Sequence, residues 1–139
     1  SLRVEKGYGS WSREYSPEYW PQEVGLAGLI KLEKDFLHKD AYLRIKDNAP
    51  REVMSLIHLT EVTTADATGG EPIFLTDGTP VGRVSSGTYG YGVEMSLALG
   101  YLKGVVAGTE VDVMILGKPH RGIVLSEPPF DPKGEKLRA

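Results

Sequence analysis

Glu5 stands in the run Leu2-Arg3-Val4-Glu5-Lys6-Gly7-Tyr8, with Tyr8 and Trp11 after it and Arg3, Lys6 and Arg13 around it. A carboxylate accepts two parallel N–H bonds, so it suits a ligand that carries a ring N–H beside an exocyclic NH₂, as pterins and purines do. The same glutamate on an ordinary surface pairs with Arg3, Lys6 or Arg13, the commoner fate of this residue type. Composition leaves both open. Tyr89 and Tyr91, in Thr88-Tyr89-Gly90-Tyr91-Gly92, offer flat rings with one polar tip. They either stack on an aromatic ligand or cover the end of a barrel. The intervening glycines lack the third glycine of a dinucleotide fingerprint, and no GxxxxGK[ST] phosphate loop occurs.

Other chemistries find little support. His38, His58 and His120 show no HExxH or similar ligand spacing, so no metal site is expected. Ser85 and Ser86 lack a GxSxG elbow. The absence of cysteine removes disulfides, thiolate ligands and thiol nucleophiles, and is compatible with a reducing compartment. Net charge is −3 with no run of Lys or Arg, so neither nucleic acid nor an anionic membrane is an expected partner. There is no apolar stretch of membrane-spanning length and no signal-peptide pattern at the start. The expected location is cytoplasmic, or the mitochondrial matrix in a eukaryote.

The elements that must position these residues follow from periodicity and turn signals. Hydrophobic residues at 40% and charged residues at 25% of 139 positions fit one globular core. Residues 1–38 mix charge, rings and turn signals around a single apolar run, Val24–Ile30, and read as short strands and loops lying on something larger. Lys39–Asn48 reads as a short helix stopped before Pro50. Six β-rich runs follow, at 53–60, 71–76, 80–87, 96–102, 110–117 and 121–127, separated by turn signals. Their spacing predicts a small antiparallel barrel or sandwich. Asp77-Gly78 marks one hairpin and Gly117-Lys118-Pro119-His120 a second short turn. In Glu110–Gly117, Val111, Val113 and Ile115 alternate with Asp112 and Met114, the period of a half-buried strand. The last residues, with three prolines, read as an extended tail over the surface.

Five phrases in order carry a resemblance: Leu2–Tyr8, Pro21–Leu26, Lys31–Leu37, Gly82–Gly87 and Pro129–Pro132. Together they resemble the C-terminal part of the glycine cleavage T-protein (aminomethyltransferase) superfamily, nearest in look to the folate domain of dimethylglycine and sarcosine dehydrogenases. The resemblance implies a mainly β fold with minor α, a six-stranded antiparallel barrel preceded by a fragment of the folate-binding domain and a short helix. By that resemblance residues 1–38 end the folate-binding fold, 39–52 link, 53–128 form the barrel and 129–139 the tail. It further implies tetrahydrofolate as cofactor, loaded with a one-carbon unit to give 5,10-methylenetetrahydrofolate, and FAD on other domains where the protein is of the dehydrogenase type.

The same resemblance places Glu5 on the pterin and matches Tyr8, Trp11, Arg51, Tyr89 and Tyr91 to positions at or near the folate channel. Departures stand at Gly9, where arginine is usual, at Gln22-Glu23-Val24 and at Leu37-His38-Lys39. Ser1 already lies inside a patterned segment, as expected of a piece whose N-terminal half, the main partner, lies upstream with its essential aspartate. No catalytic residue is therefore expected in this chain by itself. The alternative is a noncatalytic interaction or substrate-selecting barrel, or a folate-dependent methyltransferase or demethylase of the same superfamily.

Overall fold

A computed structural model of the protein describes residues 1–61 and 65–139. Six strands, β1 (Val53–Leu59), β2 (Pro72–Leu75), β3 (Pro80–Gly90), β4 (Met95–Leu102), β5 (Glu110–Ile115) and β6 (Lys118–Val124), close into a barrel of order β1-β4-β3-β2-β5-β6. Every neighbouring pair runs antiparallel, so the barrel has no free edge to protect. Its interior is filled by β-branched and aliphatic side chains, among them Ile57, Ile73, Val84, Val111, Val113 and Ile115. The alternation expected for residues 110–115 is present: Val111, Val113 and Ile115 are buried, and Asp112 and Met114 are half-buried.

β4 departs from alternation, because all of Leu97–Leu102 is buried. Ala98 and Leu102 enter the barrel core, while Leu97 and Leu99 join a second cluster with Val4 and Leu56 on the outer wall. The cover is residues 1–24. In place of the expected short strands, this segment has a one-turn helix, α1 (Leu2–Glu5), then turns and an isolated bridge between Trp11 and Tyr15. A 3₁₀ turn at Ala27–Leu29 and a helix α2 (Lys39–Ile45) complete the N-terminal part. α2 ends three residues short of Asn48, in a turn before Pro50.

Turn chemistry explains the strand ends. At Asp77-Gly78 the glycine has φ +88° and Thr79 N–H donates to Asp77 Oδ1 at 2.8 Å, closing the β2–β3 hairpin as expected. The β5–β6 turn sits earlier than the sequence predicts. Leu116 and Gly117 both have positive φ, and Lys118 and Pro119 already pair with Ile115 and Met114. A leucine in the left-handed region gives no sequence signal, which is why Gly117-Lys118-Pro119-His120 was the expected turn.

One irregularity aims the site. Register shifts between Val84 and Ser86 on the β3–β4 ladder, a β-bulge that leaves Ser85 unpaired. Val84 opposes Gly100 on the core side, whereas Ser86 opposes Leu99 on the outer wall. Beyond the bulge Ser86 and Gly90 therefore face the N-terminal segment, as a bulge reverses which face each residue lines.

Candidate functional site

Val4 anchors α1 on the outer wall of β1 and β4, and this places the next residue, Glu5, against the end of β3. Glu5 is fully buried. Among the described residues, Oε1 and Oε2 of Glu5 and Oε1 of Gln22 are buried side-chain oxygens without a hydrogen-bond partner. Leaving such a group unpaired costs about 1–3 kcal/mol, more when it is charged. Two glycines make room for it: a Cβ on Gly90 would stand 2.8 Å from Glu5 Cγ, and one on Gly92 would stand 2.5 Å from Oε2. Gly92 itself is exposed, so the carboxylate lies one glycine backbone from solvent. Tyr89 is the last residue but one of β3 and Tyr91 opens the following turn; their rings meet edge to face at 5.1 Å.

Two anchors set the segment that carries Glu5. The first is Glu14, fully buried, whose Oε1 accepts from Ser86 Oγ at 2.5 Å and whose Oε2 accepts from Ser10 N–H at 2.7 Å. Arg3 reaches the same knot, donating to Ser86 Oγ at 2.7 Å and lying 3.4 Å from Glu14 Oε2. Burial pushes the Glu14 carboxyl up, but the bonds from Ser86 and Ser10 and the Arg3 charge outweigh it and hold the group below its ordinary value. Tyr101 Oη donates to the Glu14 carbonyl at 2.6 Å, and its ring stacks on Tyr19 at 3.8 Å. Gly9 has no room for the arginine usual at its position: a Cβ there would stand 2.7 Å from Glu14 Cβ and 2.8 Å from the Tyr15 ring.

The second anchor is Glu23, also fully buried. It accepts from Trp20 N–H at 2.8 Å and from Arg51 N–H, Nε and Nη2 at 2.8, 2.9 and 2.8 Å. The Arg51 guanidinium also lies 4.6 Å from the Trp20 ring centroid. Arg51 thus staples the 18–23 loop to the start of β1, beside a cavity of about 230 Å³ that it shares with Tyr19 and Arg83. The Arg51 bonds, opposed by burial and aided by the Trp20 and Arg51 backbone N–H groups, hold the Glu23 carboxyl at about 2. The folded value lies below the ordinary 4.5, so the unfolded chain takes up this proton first as pH falls. The stabilisation is whole above about pH 4.5 and is lost as pH drops through about 2. Acid unfolding of the wild type is expected to show on the order of 2 kcal/mol of pH dependence in that window that Glu23→Gln lacks, measured by urea denaturation at each pH.

The residues singled out in the sequence therefore divide. Glu5 lies against Gly90 and Gly92, while Tyr89 and Tyr91, their chain neighbours, pack on each other. Tyr8 is half exposed, with the Lys6 ammonium 5.9 Å from its ring. Trp11, 85% exposed, lines an apolar groove of about 440 Å³ with Tyr15, Pro17, Val24 and Leu29. Arg51 belongs to the Glu23 staple. Sequence reasoning passed over Glu14, whose partner Ser86 lies 72 positions away, and weighed Ser86 only as a hydrolase serine. Ser86 and Glu23 each stood inside a phrase that carried the resemblance.

These features define a class: a closed six-stranded antiparallel barrel with an N-terminal segment wrapped on its outer wall and an unpaired acid held at the seam. The pattern of the glycine cleavage T-protein C-terminal barrel domain matches residues 55–131, and the chain belongs to that family. It is 35% identical to mitochondrial dimethylglycine dehydrogenase of Homo sapiens over 133 residues, 92% of this chain and 15% of that protein. It is 31% identical to an aminomethyltransferase of Symbiobacterium thermophilum, covering 92% of this chain and 34% of the relative. The crystal structure of the glycine cleavage system aminomethyltransferase T from Bartonella henselae matches with a TM-score of 0.82 at 26% identity, over 94% of this chain and 37% of that one. The chain thus spans a minor part of the length of these relatives. No helix of the described residues is long and apolar enough to cross a membrane.

Proposed function

We propose that the chain forms the C-terminal part of a tetrahydrofolate-dependent aminomethyltransferase-like protein, of the kind joined to a dimethylglycine or sarcosine dehydrogenase, with Glu5 as acceptor for the pterin. The observation that carries this reading is the buried Glu5 carboxylate with both oxygens unpaired, against two glycines whose lack of a side chain lets the end of β3 approach its tip. Those residues fit a pterin edge: two acceptors on one plane meet a ring N–H and an amino group, and a Cβ at position 92 would press on Oε2. Tyr89 and Tyr91 flank the two glycines in sequence and pack edge to face on each other. When bound, tetrahydrofolate supplies the nitrogen that receives a one-carbon unit. Glu5 orients the pterin, and the turn after Tyr91 limits water at the carboxylate. In a dehydrogenase-type protein the flavin belongs to other domains.

The exposed apolar groove at Trp11, Tyr15 and Leu29 supports a second part of the same proposal. It is the face that meets the upstream half of the folate-binding fold, which would bring the catalytic aspartate. The aligned stretch is 15% and 34% of the length of these relatives, whose remaining length supplies chain for such a cover.

Titration of the full-length protein with tetrahydrofolate, followed by tryptophan fluorescence, tests the reading. Glu5→Gln is expected to weaken binding by about 2 kcal/mol, roughly thirty-fold, as two charge-assisted bonds become one good bond and one mismatch. A full-length protein that does not bind, or a Glu5→Gln variant that binds as the wild type does, overturns it.

A further inference from the structure

The tail from Pro128 to Asp131 does not simply run over the surface; it folds back on α1 and meets three successive residues there. Phe130 N–H donates to the Glu5 carbonyl at 3.1 Å, so the residue with the unpaired carboxylate has its own backbone bound by the tail. The Lys6 ammonium donates to the Asp131 carbonyl and lies 3.4 Å from Asp131 Oδ2, with the two side chains only 9% and 4% exposed. A Cβ on Gly7 would stand 3.0 Å from Pro128 Cγ.

Asp131 is held in turn by its own loop. Gly134 N–H donates to its carbonyl at 2.8 Å and Lys136 N–H to Oδ1 at 3.2 Å. Its φ of +45° lies in the left-handed region, which aspartate and asparagine enter more readily than other side chains. Burial raises its carboxyl pKa, but the Lys136 N–H and the Lys6 ammonium outweigh that and leave it below the ordinary value.

A helix of one turn cannot fix its own direction, because nucleation is unfavourable and the turn has a single layer of hydrogen bonds. α1 is instead gripped at both ends: Arg3 is tied to Ser86, and Glu5 with Lys6 is tied to the tail. We infer that the tail is a positioning element for the ligand acid: Asp131, through Lys6 and the Phe130 N–H, fixes the turn from which Glu5 reaches Gly92. This rests on the reading of Glu5 as a pterin acceptor. A ligand held by two parallel bonds is sensitive to sub-ångström displacement of its acceptor, so Asp131 and Lys6 act on affinity without touching the ligand.

The test uses the full-length protein with two probes, tetrahydrofolate and its 2-desamino analogue, which lacks the amino group that Glu5 would receive. Asp131→Asn keeps the left-handed backbone and the side-chain size and removes the charge. It is expected to weaken tetrahydrofolate binding about ten-fold and the analogue, which keeps only the ring N–H bond to Glu5, by less, and so to erode the wild-type preference between them. Lys6→Met, which severs the same link from the other side while keeping an apolar stem buried, is expected to do the same. Retention of the wild-type preference in both variants overturns the inference, as does an equal loss for both probes, which is what general destabilisation produces. If the wild type itself shows no preference for tetrahydrofolate over the analogue, the reading of Glu5 falls first. Thermal melting of each variant accompanies the titrations, and Lys6→Met decides the matter if Asp131→Asn fails to fold.

Discussion

Gly92→Val is expected to weaken tetrahydrofolate binding on the order of a hundred-fold, the equivalent of two charge-assisted hydrogen bonds, while the protein melts as the wild type does. The asymmetry comes from what the new atoms meet. A Cβ at 92 arrives 2.5 Å from Glu5 Oε2, the far end of a flexible side chain, and not from backbone. Gly92 is exposed and lies outside the left-handed region, so valine brings little backbone strain. The carboxylate rotates aside at small cost to the fold, and the aim that a pterin requires is what is lost. Calorimetric titration beside a melting curve checks both halves. Undiminished binding would show that the ligand edge does not meet the Glu5 carboxylate as it lies beside Gly92.

Gly82→Ala is expected to do the opposite. Here the added carbon would fall inside the van der Waals radius of the Tyr101 carbonyl oxygen on β4, and also 3.0 Å from Leu102 Cδ2. Gly82 pairs with Leu102 on the core side of the barrel, so relief requires the β3 and β4 backbones to part. The expected loss is on the order of 3 kcal/mol, as for overpacked cores, or roughly 10 °C in melting temperature. Ligand affinity of the fraction still folded should hold, since nothing at Glu5 moves. Differential scanning calorimetry measures the first effect. A variant with wild-type stability would mean that the barrel closes with a wider gap at this pair. The two glycines, ten positions apart on one strand and its turn, thus separate the requirements of the fold from those of the site.

Much of the barrel was legible because its information is local. Asp77-Gly78 meets the backbone demand of its hairpin, and Val111, Val113 and Ile115 alternate because one face of β5 is buried. β4 was legible as a strand but not as a strand buried on both sides. Its continuous apolar run, Leu97–Leu102, makes sense only once Val4 and Tyr19 are seen lying on its outer wall. The short strands expected in residues 1–38 failed for the same reason. That segment takes its form from the barrel beneath it, and its own periodicity carries no element.

The candidate site was legible in one residue and not in its support. Glu5 could be chosen from chemistry and resemblance, whereas Ser86 reaches Glu14 only because the bulge at Ser85 reverses the facing of β3. Bulges in long glycine- and serine-bearing strands leave no fixed signature. Arg51 illustrates the converse. A cation at that position attracts a ligand reading, but the structure spends its donors on Glu23 and Glu18.

The clasp between Lys6 and Asp131 joins positions 125 apart, more widely separated than the partners of any barrel ladder. During synthesis, which runs from the N-terminus, Glu5 is made well before its backbone partner at Phe130. The barrel can close once β6 is available, but the acid is not set until the residues after it have emerged and turned back. Contacts of such long sequence separation are also the slowest to form. Ligand competence thereby becomes a report on the segment after β6: a chain cut or stalled between Val124 and Pro128 would keep its barrel and lack a fixed acceptor.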